Sequence, residues 1–494
     1  MTLFKKVKVP QPASITTKAE IGNITSSVYI ANKSVGSVLL DALSFYTDGY
    51  KYSKAYKSGQ WNGKIRFGKY AAPYFIFPTG LLAKVLNILA KNNIKTILDD
   101  KRSKPAPAFS LEYFGAPLRE YQEEVIEACV HGQRGIVQAA TGGGKTLIFI
   151  KLIQTLGVNT LIIVKSLDLM VQTADRIIEA LNIDSVGIIG AGENSPAPIT
   201  IATFQSLVSM KEACPQEYKA LVEKFGMLIV DEAHAVNSKA KAFQSVVESI
   251  PAYYRFAFTA TPKRQEIENA TDTSIIAFFG PIISNVTRKE LVNSGYLVDC
   301  TVYNIPVPKV SGATREDYLL THSSPQEAYH AAWEDYILNN EARYLIIQNI
   351  VQTHKEDQLL IICNSVVLAK KISNILHLPL VTGEDDKVYR SNIYTKFRSG
   401  EIKMLVASNI YSEGIDFPKL KVMIFAESFK SPILLIQRLG RTMRIDGEKD
   451  EGIVYDLADV HAPFFDEQAA YRKEIYKRED ITCMIPTYLN ELLP

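Results

Sequence analysis

The stretch Gly135-Ile136-Val137-Gln138-Ala139-Ala140-Thr141-Gly142-Gly143-Gly144-Lys145-Thr146 limits what this chain can fold into more than any other. An apolar run leads into it, three consecutive glycines interrupt the regular backbone, and the apolar positions Leu147 to Ile153 continue at helical spacing. A strand, a glycine turn ending in Gly-Lys-Thr and a helix together form a cradle for a chain of phosphates. Gly142, Gly143 and Gly144 let backbone amides curl around the anion, and the helix from Lys145 aims its positive end at it. Lys145 is suited to neutralise the outer phosphates of a nucleoside triphosphate, and the Thr146 hydroxyl to hold magnesium. Ala139 stands where the pattern usually begins with glycine. An ordinary glycine turn before a helix satisfies much of the same string, so other stretches must decide.

The deciding stretch is Met227-Leu228-Ile229-Val230 followed at once by Asp231-Glu232-Ala233-His234. Two carboxylates leaving the tip of an apolar strand can reach a magnesium shell through Asp231 and orient or deprotonate a water through Glu232. Runs near Ile136 to Gln138, Leu161 to Val164, Ile199 to Thr203, Met227 to Val230 and Phe256 to Thr259 alternate with helix-period segments. Their near-continuous apolar character predicts a parallel sheet covered on both faces, with chemistry at the strand C-terminal ends. Pro117 to Gln122 opens an amphipathic helix upstream, and Thr259-Ala260-Thr261-Pro262 ends a later strand with two hydroxyls.

At 494 residues the chain is too long for one core, and about three domains are expected. The boundaries predicted are a basic N-terminal domain over 1–105, a first α/β lobe over 106–305, a connector over 306–340 and a second lobe over 341–494. The second lobe repeats the alternation, with strands near Leu359 to Cys363, Met404 to Ala407, Val422 to Phe425 and Ile453 to Tyr455, and it has no phosphate loop. It carries Ser412-Glu413-Gly414-Ile415-Asp416 and Gln437-Arg438-Leu439-Gly440-Arg441-Thr442-Met443-Arg444. Arginines at i, i+3 and i+6 share one side of a helix, so Arg438, Arg441 and Arg444 are expected to face one anion together. The five cysteines are widely spaced, no apolar run reaches about 18 residues, and the first residues lack a signal-peptide core. A cytoplasmic setting is expected, the host cytoplasm if the protein is viral, with no membrane partner.

The net charge of +2 conceals an asymmetry, because residues 1–100 hold 14 Lys and Arg against 5 Asp and Glu, leaving 41 against 48 for the rest. Within the basic region Lys51, Lys54, Lys57, Lys64, Arg66 and Lys69 interleave with Tyr50, Tyr52, Tyr56, Trp61, Phe67 and Tyr70. Cations meet phosphates while aromatic faces stack on bases, so Lys51, Lys54, Lys57, Trp61, Lys64 and Arg66 are candidate nucleic-acid contacts. Lys101 to Pro107 reads as the linker out of this domain, and removal of residues 1–100 is expected to leave basal ATP hydrolysis largely intact.

The ordered set Gln122, Ala139 to Thr146, Asp231 to His234, Thr259 to Thr261, Gly414 to Asp416 and Gln437 to Arg444 resembles the motif series of superfamily 2 helicases and translocases over roughly residues 115–460. That resemblance implies an α/β fold: two RecA-like parallel-sheet lobes in tandem, with a small basic α+β domain in front. It implies ATP and Mg2+ as cofactors. Arg119 and Gln122 would serve the adenine, and Thr141 to Thr146 the phosphates. Thr146 and Asp231 would hold the metal, Glu232 would serve the attacking water, and Gly414 and Asp416 would lie beside the nucleotide. Gln437, Arg441 and Arg444 would act from the second lobe on the γ-phosphate. Thr203 and Gln205 on the first lobe, and Thr382 and Ser408 on the second, would touch the phosphate backbone. Phe45 to Tyr50 and Gly59 to Arg66 are further similar to the N-terminal domain of bacteriophage UvsW-type recombination helicases. That family implies an ATP-dependent DNA helicase remodelling branched DNA: Holliday-junction branch migration, fork regression and R-loop unwinding, with RNA–DNA hybrids among its partners, working as a monomer. Two alternatives stay open. One is an RNA helicase or restriction-type translocase, the other a nucleic-acid binding or annealing protein switched by ATP.

Overall fold

A computed structural model describes residues 15–47, 49–233, 241–260, 269–408, 417, 419–431, 435, 438–440 and 451–486. The chain separates into two compact units, one running to Asn285 and the other from Val286, the four residues 140–143 aside. Among the described residues no helix is long and apolar enough to cross a membrane.

The first unit opens with seven strands: β1 (Ile15–Ile21), β2 (Thr25–Tyr29), β3 (Ser44–Tyr46), β4 (Lys64–Arg66), β5 (Lys69–Ala71), β6 (Tyr74–Pro78) and β7 (Ile94–Asp100). Five of them form a sheet in the order β5-β6-β2-β1-β7, while β3 and β4 pair separately as an antiparallel ribbon. Alternating burial along β1 and β6 leaves one face of the sheet apolar, as a two-residue period requires. Helices α1 (Lys33–Ala42) and α3 (Leu82–Lys91) cover it with Val35, Leu39, Val85 and Leu89, and the short α2 (Lys54–Lys57) lies in the loop between β3 and β4.

This small sheet shares its core with the lobe that follows. Ala270 and Ala277 of α10 (Ala270–Phe279) belong to the same apolar cluster as Phe75, Phe77 and Leu81. A Cβ on Gly80 would lie 2.0 Å from the Ile276 carbonyl oxygen, so only glycine lets the Thr79–Leu81 turn rest on that helix. Polar ties flank the apolar seam, with Asn23 Nδ2 donating to the Pro251 carbonyl (2.9 Å) and Arg134 Nη2 to the Asn23 carbonyl (2.6 Å). Removal of residues 1–100 would therefore also uncover Ala270 and Ala277. The linker is also fixed, since the Ala108 and Phe109 amides donate to the Gly157 carbonyl and Phe114 to that of Ala180.

The first lobe is an eight-stranded sheet of β8 (Arg134–Ala139), β9 (Thr160–Val164), β10 (Gly187–Gly190), β11 (Glu193–Ser195), β12 (Ile199–Thr203), β13 (Met227–Asp231), β14 (Tyr254–Thr259) and β15 (Ile282–Val286). Its order is β11-β10-β12-β9-β13-β14-β8-β15, and the run from β10 to β8 is parallel throughout. Every residue of β9, β12 and β14 is buried, which is what sandwiching between helices demands of a parallel strand. The helices are α4 (Glu120–Gly132), α5 (Lys145–Leu156), α6 (Leu167–Leu181), α7 (Phe204–Ala213), α8 (Pro215–Val222), α9 (Lys241–Ser249) and α10.

In the second unit, after α11 (Arg288–Asn293), seven strands run parallel in the order β18-β19-β17-β20-β21-β16-β22. They are β16 (Asp299–Pro306), β17 (Leu359–Ile362), β18 (Leu380–Val381), β19 (Met404–Ala407), β20 (Val422–Phe425), β21 (Glu451–Ala458) and β22 (Thr482–Met484). Two expected boundaries shift. Residues 299–305, assigned with the first lobe, pair along their whole length with β21 of the second sheet, as does Pro306. The presumed connector 306–340 contains α12 (Arg315–Thr321), α13 (Pro325–Trp333) and a π-helical turn Glu334–Leu338, whose Tyr318, Ala328, Ala332, Tyr336 and Ile337 enter the second core. The covering helices α14 (Glu341–Thr353), α15 (Val366–Leu376) and α16 (Lys387–Ser399) complete the lobe.

Candidate functional site

The loop after β8 needs its glycines. Gly142 and Gly144 sit at φ +87° and +69°, where a side chain is strained. Gly144 is the N-cap of α5, and a Cβ there would meet Gln122 Nε2 at 2.4 Å. Gln122 is 2% exposed, and its Oε1 accepts the Arg119 amide (2.9 Å), so the side chain fixes both the start of α4 and the packing under the phosphate loop. Its adenine-reading role therefore stands as an expectation attached to a residue whose observed work is structural.

Lys145 begins α5, and its Nζ lies 3.5 Å from Glu232 Oε1, with both side chains mostly buried. Glu232 follows directly from β13, two strand positions from β8 with β14 between them. It takes φ +51°, and its amide donates to Asp231 Oδ1 (2.9 Å). A non-glycine residue held in the left-handed region costs about 1–3 kcal/mol, which the surrounding sheet must offset. Arg176 on α6 donates to Thr146 Oγ1 (3.4 Å), a neighbour no local motif announces.

These residues fit a magnesium nucleotide. Two loop positions hold a backbone conformation that favours glycine, Gly144 also has no room for a Cβ, Lys145 supplies a cation at a helix N-terminus, and Thr141 Oγ1 is buried with no hydrogen-bond partner among the described residues. Lys145 and Thr146 would hold the phosphates, and Thr146 with Asp231 the metal. His234, Thr261, Gly414, Asp416, Gln437, Arg441 and Arg444 lie outside the described residues.

Arg438 is described, and it departs from expectation. It is 1% exposed, donates to Asn364 Oδ1 (2.8 Å) and lies over the Phe429 ring at 4.4 Å. Of the three-arginine face, Arg438 packs against aromatics of its own lobe, and Arg441 and Arg444 lie outside the described residues. The same region holds a set of buried charges. Glu427 accepts the Asn364 and Ser365 amides at the start of α15 and the Trp333 indole N–H (3.1 Å), while burial pushes its carboxyl above the usual range. Arg343 pairs with Asp459, and Arg472 pairs with Asp456 through two hydrogen bonds of 3.0 and 2.7 Å.

Among the expected nucleic-acid contacts, Thr203, Thr382 and Ser408 are buried. Thr203 caps α7 with its hydroxyl on the Ser206 amide, and Thr382 bonds Asp385 through both its amide and its hydroxyl, so neither side chain is presented to solvent. Gln205 is exposed. In the β3–β4 ribbon, Lys51, Lys54, Lys57 and Arg66 are exposed and Lys64 half-buried with its Nζ 5.0 Å from the Tyr46 ring centre. Trp61 is half-buried and donates to the Lys64 carbonyl (2.9 Å), which makes it a loop staple. Tyr46, Tyr52 and Tyr56, absent from the sequence-derived contact set, are the exposed rings among the ribbon's described residues.

A parallel sheet with a phosphate loop and a strand-tip carboxylate pair, joined to a second parallel sheet, defines a helicase of superfamily 2. Residues 116–264 match the family described as type III restriction enzyme, res subunit, and residues 342–446 the helicase conserved C-terminal domain. Residues 24–99 match the N-terminal domain of the DNA helicase UvsW, and the chain is a UvsW-like member of that class. The ATP-dependent DNA helicase uvsW of Enterobacteria phage T4 is 23% identical over 460 residues, covering 85% of this chain and 86% of the relative. The DNA 3'-5' translocase XPB2 of Sulfurisphaera tokodaii is 29% identical over 358 residues, 66% of this chain and 78% of the relative. Among solved structures, the type ISP restriction-modification enzyme LlaBIII bound to DNA aligns with a TM-score of 0.55 at 17% identity, over 74% of this chain and 30% of that one, a likeness of fold.

Proposed function

We propose that this protein is an ATP-dependent DNA translocase that remodels branched DNA, with RNA–DNA hybrids among its substrates, and that it acts as a monomer. The observation that carries the reading is Lys145 facing Glu232 across the C-terminal edge of the first sheet, at 3.5 Å. In that geometry Lys145 binds the terminal phosphates, Thr146 and Asp231 orient the metal, and Glu232 takes the proton of the attacking water. Bound MgATP supplies the hydrolysable phosphoanhydride. Gln437, Arg441 and Arg444 complete the set proposed to stabilise the developing charge.

DNA as the substrate is supported by the match of residues 24–99 to the UvsW N-terminal domain, and by composition, since residues 49–98 hold nine Lys and Arg and no Asp or Glu. The test is ATP hydrolysis by wild type and Glu232→Gln with Holliday junctions, forks, R-loops and duplex RNA. The expectation is hydrolysis stimulated most by branched DNA and abolished in the variant. Stimulation confined to RNA, or equal rates for the two proteins, rejects the proposal, and light scattering with and without DNA checks the monomer.

A further inference from the structure

The geometry points to Tyr52 as a stacking element for an unpaired base at a DNA branch, a reading that rests on the function proposed above and names the site through which branched DNA is distinguished from plain duplex. Tyr52 ends a 3₁₀ turn (Tyr50–Tyr52) at the tip of the β3–β4 ribbon and is 82% exposed, the most exposed aromatic ring among the described residues. A single exposed ring is ordinary on a protein surface. Three features set this one apart.

The first is rigidity. The Tyr52 amide donates to the Gly49 carbonyl (3.0 Å), Ser53 to that of Tyr50 (3.1 Å), and Ser53 Oγ caps α2. Beneath the turn Tyr50 stacks on Tyr46 at 4.5 Å and meets Tyr56 edge-on at 4.9 Å. A Cβ on Gly63 would lie 2.3 Å from the Tyr50 ring, so that glycine is part of the support. The turn is built on aromatic packing that leaves its terminal ring outside, which removes much of the ordering cost of binding.

The second is charge. Lys51, Lys54 and Lys57 flank Tyr52 in sequence at i−1, i+2 and i+5, all exposed, within the stretch that has no acidic residue. The third is chemistry. A ligand that offers a flat π-face next to repeated negative charge satisfies ring and cations together, and an unstacked nucleotide does so. A paired duplex hides its base faces and engages only the lysines.

The experiment measures affinity of the full chain for a fork with single-stranded arms and for the same duplex without arms, using wild type, Tyr52→Ala, Tyr52→Phe and Lys54→Ala at two salt concentrations. Stacking is worth enough per base that Tyr52→Ala should weaken fork binding at least about fivefold, by the same factor at both salts. Its duplex affinity should stay within about twofold of wild type, and Tyr52→Phe should retain fork binding. Lys54→Ala should weaken both DNAs and reduce the salt slope by about one. Equal weakening on both DNAs by Tyr52→Ala, or wild-type fork affinity in that variant, overturns the inference while leaving the motor reading in place. Hydrolysis by wild type that is indifferent to DNA overturns the motor reading itself.

Discussion

The two parallel sheets are built alike and use their strand ends in opposite ways. The first sheet leaves Lys145 and Glu232 in a long 3.5 Å contact, on a glycine loop and a strained strand tip. The second closes its charges on one another: Arg343 with Asp459, Arg472 with Asp456, Glu427 with three N–H donors, Arg438 against Phe429. A loosely engaged pair can exchange its partner for a ligand, whereas a fully desolvated pair cannot without great loss. Among the described residues, the same architecture therefore leaves an open pair at the strand ends of one lobe and closed pairs in the other.

The sharpest way to break this contrast is Glu232→Gln. It should lower ATP turnover about a hundredfold or more while leaving thermal unfolding near wild type, since the replaced group is a general base and its shape is kept. Arg472→Met tests the opposite side. It strands Asp456 in the core and should cost roughly 3–5 kcal/mol in urea unfolding, with much of that recovered when Asp456 is made apolar as well. Turnover per folded molecule should not follow the stability loss.

Smaller effects refine the comparison. Gly144→Ala forces a side chain into φ +69° against Gln122, and should cost about 1–3 kcal/mol and raise the KM for ATP. Glu427→Gln should remove one component of the pH dependence of stability, with a smaller loss at all pH values from the acceptor taken from a buried N–H. Burial raises the folded carboxyl above its unfolded value of 4.5, so the folded chain holds that proton more tightly. Stability of wild type should fall as pH rises through the raised value, and urea midpoints of the variant should lack that component.

The catalytic strands were legible because parallel strands buried on both faces write near-continuous apolar runs, as in Ile199 to Thr203 and Met227 to Val230. The phosphate loop was legible because φ above zero selects glycine at Gly142 and Gly144. Less could be read where composition is mixed. The strand Asp299–Pro306 alternates polar and apolar residues, and its partner β21 lies about 150 positions away, so nothing local assigned it to the second sheet. Helical spacing placed Arg438 on one side with its neighbours, but periodicity does not say whether that side meets a ligand or the protein's own Phe425 and Phe429. Arg176 reaches Thr146 only because α6 folds back beside α5, which no short motif encodes.

Because Gly80 rides directly on α10, the ribbon that carries Tyr52 is bolted to the sheet that carries Lys145 instead of swinging on a tether. Nucleotide-driven displacement of that sheet would carry the ribbon along with it, like the jaw of a wrench with its handle. A bulkier residue at position 80 would misalign the two ends while both remained chemically complete.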